Sequence, residues 1–282
     1  IYNRALSAEE VAQLYHVNSP TGVDTNLKGY WTFDGADTTS TTATDRSGAG
    51  NTGTLSGVAV TRGKLGQALS FSGSGSQMAI SMTQTGKTYT FSTWANLSSG
   101  SGYFFDTNGG RLTLSFGQNA PLARSLSFYD GSWKSIGSIN SIPLNEWVYL
   151  VWVFDNSNST AYGYINGVLQ GTAAYTGKDI STLIKIGNHY SAGDTPISGS
   201  LDEVRVYNTA LTAAQIQSLY KRGESDTMNV MDTSGNLNSG LAGYWKLDEG
   251  SGTSAVDSSI NGSTGTLTNG PTWTTGQIGS AV

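Results

Sequence analysis

The 282-residue chain contains no cysteine, which excludes disulfides, thiol catalysis and cysteine-ligated zinc together. Charge is also scarce: 12% of residues are Asp, Glu, Lys or Arg, and the formal net charge is −5. With a pI near 4.9, the chain lacks the basic footprint that nucleic acid requires. No run of 18 apolar residues occurs, so membrane insertion by a helix is not expected in this segment. Histidine appears only at His16 and His189, and neither Gly-x-Ser-x-Gly nor His-Glu-x-x-His is found. Little material for hydrolytic chemistry is therefore present.

Glycine, serine, threonine and asparagine fill the spaces between short runs of Val, Ile, Leu, Phe, Tyr and Trp. That texture predicts an all-β protein rich in turns. Candidate strands run from Leu27–Phe33 through Thr88–Leu97, Trp147–Phe154 and Ala161–Ile165 to Ile197–Val206. Asn166-Gly167 is the strongest hairpin signal, because both central residues of a type I′ turn need positive φ. So many short strands predict two stacked antiparallel sheets rather than a small barrel.

The chain also repeats itself. Tyr2-Asn3-Arg4-Ala5-Leu6 matches Tyr207-Asn208-Thr209-Ala210-Leu211, and Gly29-Tyr30-Trp31-Thr32-Phe33-Asp34 matches Gly243-Tyr244-Trp245-Lys246-Leu247-Asp248. Gly53-Thr54-Leu55 returns as Gly265-Thr266-Leu267, and Gly63–Leu69 as Gly276–Val282. A spacing of roughly 210 residues is a whole domain, not a solenoid unit of ~20–50. The expected organisation is a C-terminal helix of a preceding repeat at 1–16, with Ser7 and Glu10 as a capping box. A linker follows at 17–26, a complete domain at 27–223, a second linker at 224–240 and the opening of a following repeat at 241–282. Strands of such an opening need partners for their faces and edges, so 241–282 alone is expected to be disordered or paired with another molecule.

Several blocks in order carry a family resemblance: Gly29–Asp34, Asp45-Arg46-Ser47-Gly48 to Leu55, Thr88–Trp94, Asn145–Asp155, Tyr164–Gly167, and Gly199–Asn208 followed by the Leu211–Tyr220 helix. Together they resemble the laminin-G-like branch of the concanavalin-A-like lectin/glucanase superfamily. The resemblance implies a two-sheet antiparallel jelly-roll sandwich with a short C-terminal helix, repeated in tandem and extracellular or on a cell surface, with a prokaryotic source expected. Glucanase relatives place their carboxylates on one strand as Glu-x-Asp-x-Glu, a motif absent here; with no paired acids for retaining hydrolysis, no enzyme activity is expected.

Relatives carry a structural calcium built from early and late segments. Asp34 and Asp202 best match those positions, with Asp45 and Asn51 as additions from the neighbouring loop; Ca²⁺ favours such oxygen donors. The competing reading has the two aspartates capping turns or pairing with Arg205 or Arg46. Trp31, Trp94, Trp147 and Trp152 lie in strand patterns and are expected in the core. Trp133 falls in a loop-like stretch, where an exposed indole calls for a use. A sugar site needs an aromatic platform with a few oriented polar groups. Tyr103, Tyr129, Trp133, His189 and Tyr190 are the candidates, with Asn188 and Asp106 as polar partners; their competing role is packing at sheet edges. Two functions follow: a non-catalytic adhesion or binding module for carbohydrate or another surface ligand, repeated for avidity, or a structural repeat of a stalk, filament or surface layer whose partners are neighbouring repeats.

Overall fold

Two antiparallel sheets account for the strands between residues 27 and 207. The computed structural model describes residues 1–6, 26–72, 75–82, 86–107, 112–116, 124–138, 140–180, 183–190, 196–224, 240–247, 249–259, 261–275 and 280–282. The first sheet comprises β1 (Leu27–Trp31), β4 (Val58–Arg62), β5 (Gln67–Ser72), β7 (Tyr89–Leu97), β12 (Trp147–Asp155), β13 (Thr160–Ile165), β14 (Val168–Ala174) and β16 (Ser198–Tyr207). Its order is β14-β13-β12-β7-β16-β5-β4, with β1 also on β16. The second comprises β2 (Thr42–Ala43), β3 (Gly53–Ser56), β6 (Gln77–Ser81), β8 (Gly102–Thr107), β9 (Thr113–Phe116), β10 (Leu126–Tyr129), β11 (Trp133–Ile136) and β15 (Leu183–Ile186). Its order is β11-β10-β9-β8-β15-β6-β3-β2. Both sheets join strands far apart in sequence, which gives the jelly-roll sandwich.

Alternation decides which side chains meet between the sheets. Phe91 and Trp152 of the first sheet pack on Phe105 and Phe104 of the second, with ring centroids 4.0 and 5.2 Å apart. Phe154 meets Phe128 edge-on at 5.2 Å. Intervening residues Trp94, Tyr149, Val151 and Val153 face the other way and form a second apolar cluster with Leu211, Ile216 and Leu219. The last two belong to α1 (Ala213–Glu224). Its N-terminus is closed by a capping box: Thr212 N–H donates to Gln215 Oε1 at 2.9 Å, and Gln215 N–H donates to Thr212 Oγ1 at 3.3 Å. Because α1 covers the outer face, β7 and β12 are buried along nearly their whole length. Both faces of the first sheet are therefore apolar at its centre.

Trp31, Trp94 and Trp152 are buried, as expected, and half-buried Trp147 packs against the second cluster. Asn166 and Gly167 take φ of 50° and 75°, the left-handed pair of the expected hairpin turn. Strands β2, β3 and β4 were not anticipated; β4 is an edge strand with mostly exposed residues and no clean alternation. Trp133 begins β11 instead of lying in a loop. Of the helix expected at 1–16, residues 1–6 are not helical, since Tyr2 is drawn into a bridge with Leu241, and 7–16 lie outside the described residues, as do nearly all of both linkers.

Beyond α1, β17 (Ser254–Ala255) pairs with β18 (Gly265–Thr266), and β19 (Thr274–Thr275) with β20 (Ser280–Ala281). Tyr2 forms an antiparallel bridge with Leu241. Replacing Trp94, which joins sheet to helix, should cost about 3–5 kcal/mol as Trp94→Ala, whereas Thr212→Ala should cost about 1 kcal/mol. Urea unfolding of both variants checks the order; equal losses would mean that α1 does not depend on the Trp94 seat.

Candidate functional site

Strand register lays two rows of side chains across the second sheet. One row is Tyr103 on β8, Ser115 on β9, Ser127 on β10 and Ser135 on β11, each opposite the next. The other is Lys185 on β15, Asp106 on β8, Thr113 on β9, Tyr129 on β10 and Trp133 on β11. Directly opposed residues share a face. Leu114, Phe116, Leu126, Phe128 and Ile136 belong to the core, so the two rows face away from it. The result is a small-polar floor flanked by aromatic rings.

The rings come together on this face. Tyr103 lies 4.6 Å from the His189 ring and 6.3 Å from that of Trp133, and Tyr129 lies 5.5 Å from Trp133. Asp106 organises the centre. Its Oδ1 accepts from Thr113 Oγ1 at 2.5 Å, its Oδ2 accepts from Tyr190 N–H at 2.7 Å, and His189 Nε2 stands 3.7 Å from Oδ2. Lys185 Nζ donates to the carbonyls of His189 and Tyr190 at 3.5 and 3.4 Å and lies 5.2 Å from the Tyr190 ring centre. Asn188 Oδ1 accepts from the His189 N–H at 2.7 Å. On the floor, Ser125 and Ser135 hydroxyls are 3.0 Å apart, while the buried Ser115 hydroxyl has no hydrogen-bond partner.

The structure thus gathers Tyr103, Tyr129, Trp133, His189 and Tyr190 with Asp106 and Asn188. Sequence reasoning missed Thr113, Ser115, Ser127, Ser135 and Lys185. Their signal was available, because small polar residues alternate with core residues in Thr113-Leu114-Ser115-Phe116 and Ser125-Leu126-Ser127-Phe128. Asp106 is the one carboxylate in the two rows.

The hairpin carrying Tyr129 and Trp133 is fastened at its turn by Asp130. That buried carboxylate accepts from Lys134 Nζ at 2.7 Å, from Thr176 N–H at 2.8 Å and from Thr176 Oγ1 at 2.9 Å. Burial pushes the Asp130 carboxyl upward, but the Lys134 and Thr176 hydrogen bonds outweigh it and hold the group below the usual range.

A second polar centre lies where β1 ends and β5 begins along β16. Asp34 Oδ1 accepts from Gln67 N–H at 2.7 Å, and Asp202 Oδ2 accepts from Leu65 N–H at 2.9 Å. The turn between β4 and β5 passes close to both: a Cβ at Gly66 would collide with the Asp34 carboxylate, and one at Gly63 would lie 2.6 Å from Asp202 Oδ2. Asp202 is fully buried and its Oδ1 has no hydrogen-bond partner. Burial first, then the charges of Glu203 and Asp34, drive its carboxyl well above the usual range. Arg205 pairs with Glu203, and Arg46 with Asp37; neither expected arginine partner serves Asp202. An orphaned buried carboxylate oxygen beside a second carboxylate fits a hard cation, although no cluster of three acidic or histidine ligands occurs among the described residues.

Asp45 and Asn51 fasten the adjacent loop. Asp45 accepts the N–H groups of Tyr30, Ser47 and Asn51, and Asn51 Nδ2 donates to the Lys28 carbonyl at 2.6 Å.

A model of the concanavalin A-like lectin/glucanases superfamily matches residues 71–217. No functionally curated protein sequence matches the chain. Among solved structures, the chain is similar to domain 4 of AbnA, a GH43 extracellular arabinanase from Geobacillus stearothermophilus, in complex with arabinotriose. That likeness has a TM-score of 0.57 and 22% identity and covers 69% of this chain and 98% of that one. The binding domain of botulinum neurotoxin DC in complex with SialylT is similar at TM-score 0.58 and 15% identity, over 76% of this chain and 55% of that one. Trypanosoma rangeli sialidase in complex with the inhibitor DANA gives 0.50 and 15%, over 69% and 32%. The chain thus spans about half of the toxin domain and a third of the sialidase. At these identities the likenesses show the fold alone.

Asp130 generates a pH prediction. A carboxyl lowered in the folded state stabilises above its unfolded pKa of ~3.9, and that stability is lost as pH falls through the folded value. Asp130→Asn should therefore lower Tm at pH 7, and the gap to wild type should close in acid below about pH 4. A gap equally wide at pH 3 and pH 7 would contradict the assignment.

Proposed function

Since the chain belongs to the concanavalin A-like lectin/glucanases superfamily, we propose that it is a non-catalytic module that binds carbohydrate on the outer face of its second sheet. The observation that carries this reading is the gathering of Tyr103, Tyr129, Trp133 and His189 around a floor of serine and threonine hydroxyls. Aromatic rings stack on the apolar face of a sugar ring, while the partly exposed Asn188, His189 and Ser135 offer acceptors and donors for its hydroxyls. The arabinanase domain solved with arabinotriose supports an oligosaccharide as the ligand class. Its extracellular parent supports a place outside the cell or on its surface. Among the described residues no helix is long and apolar enough to cross a membrane.

The same reading places a structural Ca²⁺ at Asp34 and Asp202, where it would supply the missing partner of Asp202 Oδ1 and tie the end of β1 to the β4–β5 turn. A tandem arrangement, with several such modules on one surface protein, is supported by the recurrence of the opening strands at 241–281. It would multiply a weak affinity per module. A purely structural repeat with no soluble ligand remains the competing function.

A glycan array on the chain tests the reading. Binding should fall at least about tenfold in Trp133→Ala and Tyr103→Ala, the scale of a lost aromatic anchor. Absence of binding to any glycan would favour the structural repeat. Separately, Ca²⁺ should raise the Tm of the wild type measured in chelator and leave Asp202→Asn unchanged. An equal rise in both proteins would remove calcium from this position.

A further inference from the structure

The outer face of the second sheet is more closed than its residue types require. Tyr103 on β8 and Trp133 on β11 have β9 and β10 between them, which separates their backbones by about 14 Å at the usual strand spacing of ~4.8 Å. Their ring centroids are nevertheless 6.3 Å apart. The two side chains therefore lean toward each other above β9 and β10, over the hydroxyls of Thr113, Ser115 and Ser127. Burial agrees with that geometry. These residues and Asp106 face away from the core, yet Ser115, Ser127 and Asp106 are 0% exposed and Thr113 is 2% exposed.

The polar row beneath the rings is incomplete. Thr113 Oγ1 donates to Asp106 Oδ1 at 2.5 Å, and Ser127 Oγ donates to the Ser125 carbonyl at 3.1 Å. Ser115, which the register sets between Tyr103 and Ser127, has a buried hydroxyl with no partner. A buried hydroxyl left unpaired destabilises the state that buries it. Movement of a covering ring relieves that penalty by letting Ser115 take a partner from outside the protein.

The two rings differ in freedom. Tyr103 is 8% exposed, lies 4.6 Å from the His189 ring and is bridged through its backbone to Pro196. Trp133 is half-buried and begins β11, the edge strand of its sheet, straight after exposed Gly131 and Ser132. The Asp130 clamp holds the backbone of that turn. Rotation of its own side chain between rotamers is the motion left to Trp133.

We propose that Trp133 is a ring lid. Closed toward Tyr103, it seals the hydroxyl row; swung outward, it admits a hydroxyl of the ligand to Ser115. The purpose of the lid rests on the carbohydrate reading, whereas its existence does not. Trp133 then serves as a gate as well as a stacking surface, and Ser115 becomes the ligand contact concealed by the closed form.

The absence of cysteine from the chain allows a test that needs no sugar. In the full chain carrying Ser115→Cys, the single thiol lies under the rings. Its rate of modification by methyl methanethiosulfonate, read by mass, reports lid opening. Val148→Cys, fully buried in the core between the sheets, reports opening of the whole domain. Ser115→Cys should react at least about tenfold faster than Val148→Cys, because local opening is more frequent than global unfolding. Adding Trp133→Ala should speed Ser115→Cys at least about tenfold further and leave Val148→Cys unchanged. Equal rates for the two thiols, or a Ser115→Cys rate indifferent to Trp133→Ala, overturns the lid. A negative glycan array beside gated labelling removes the sugar reading and keeps the lid; a positive array beside ungated labelling does the reverse.

Discussion

Insertion of β16 into the middle of the first sheet is the contact on which the rest of the structure depends. This late strand is flanked by β7 on one side and by both β1 and β5 on the other. It joins residues separated by well over a hundred positions, so its loop-closure entropy is met only by the whole sheet. The register shift between Asp202 and Arg205, with Glu203 at φ 53°, lets consecutive acidic residues go to different surroundings. Asp202 reaches the β4–β5 turn, while Glu203 receives Arg205 and the Tyr30 hydroxyl. Pairing, the buried carboxylate and the seat of α1 on the outer face all follow from that strand.

The second sheet is freer, and it carries the candidate ligand face. Its core side is fixed by Phe104, Phe128 and their neighbours, which leaves the alternate positions open to small hydroxyl residues. Those positions would be unremarkable without the rings that overhang them. His189 and Tyr190 are held over the floor through Asp106 and Lys185, whereas Tyr129 and Trp133 are held by the Asp130 clamp. Rigid strands thus supply the floor and short hydrogen-bonded turns supply the walls, the division expected of a pre-formed small-ligand site.

The opening segment shows why local chemistry can outlast its global partner. Asp45 and Asp257 organise their loops through three backbone N–H groups, two of them within six residues of the aspartate. That device needs nothing from the closing strand. The expectation that 241–282 alone would be disordered or held by another molecule rests on missing sheet partners, whereas these hydrogen bonds are local. What the segment lacks is burial: its apolar residues stay half-exposed because the sheets that cover Trp31 and Phe33 have no counterpart among the described residues.

Period-two alternation was enough to identify the long strands, the Asn166-Gly167 hairpin and the core tryptophans, because burial of one face writes itself directly into the sequence. It could not find β4, whose exposed edge carries no such record. Repetition of whole motifs likewise matched the Asp257 loop to the Asp45 loop, whose backbone hydrogen bonds agree. Aromatic and polar residues at 103, 129, 133 and 188–190 could be nominated one by one from their residue types. Only strand register could place them on one face and add Thr113, Ser115, Ser127, Ser135 and Lys185, since these neighbours are distant in sequence. The same holds for Asp34 and Asp202. Composition supplies two carboxylates, but the meeting of β1 and β5 on β16 decides that they share one buried turn and leave one oxygen without a partner.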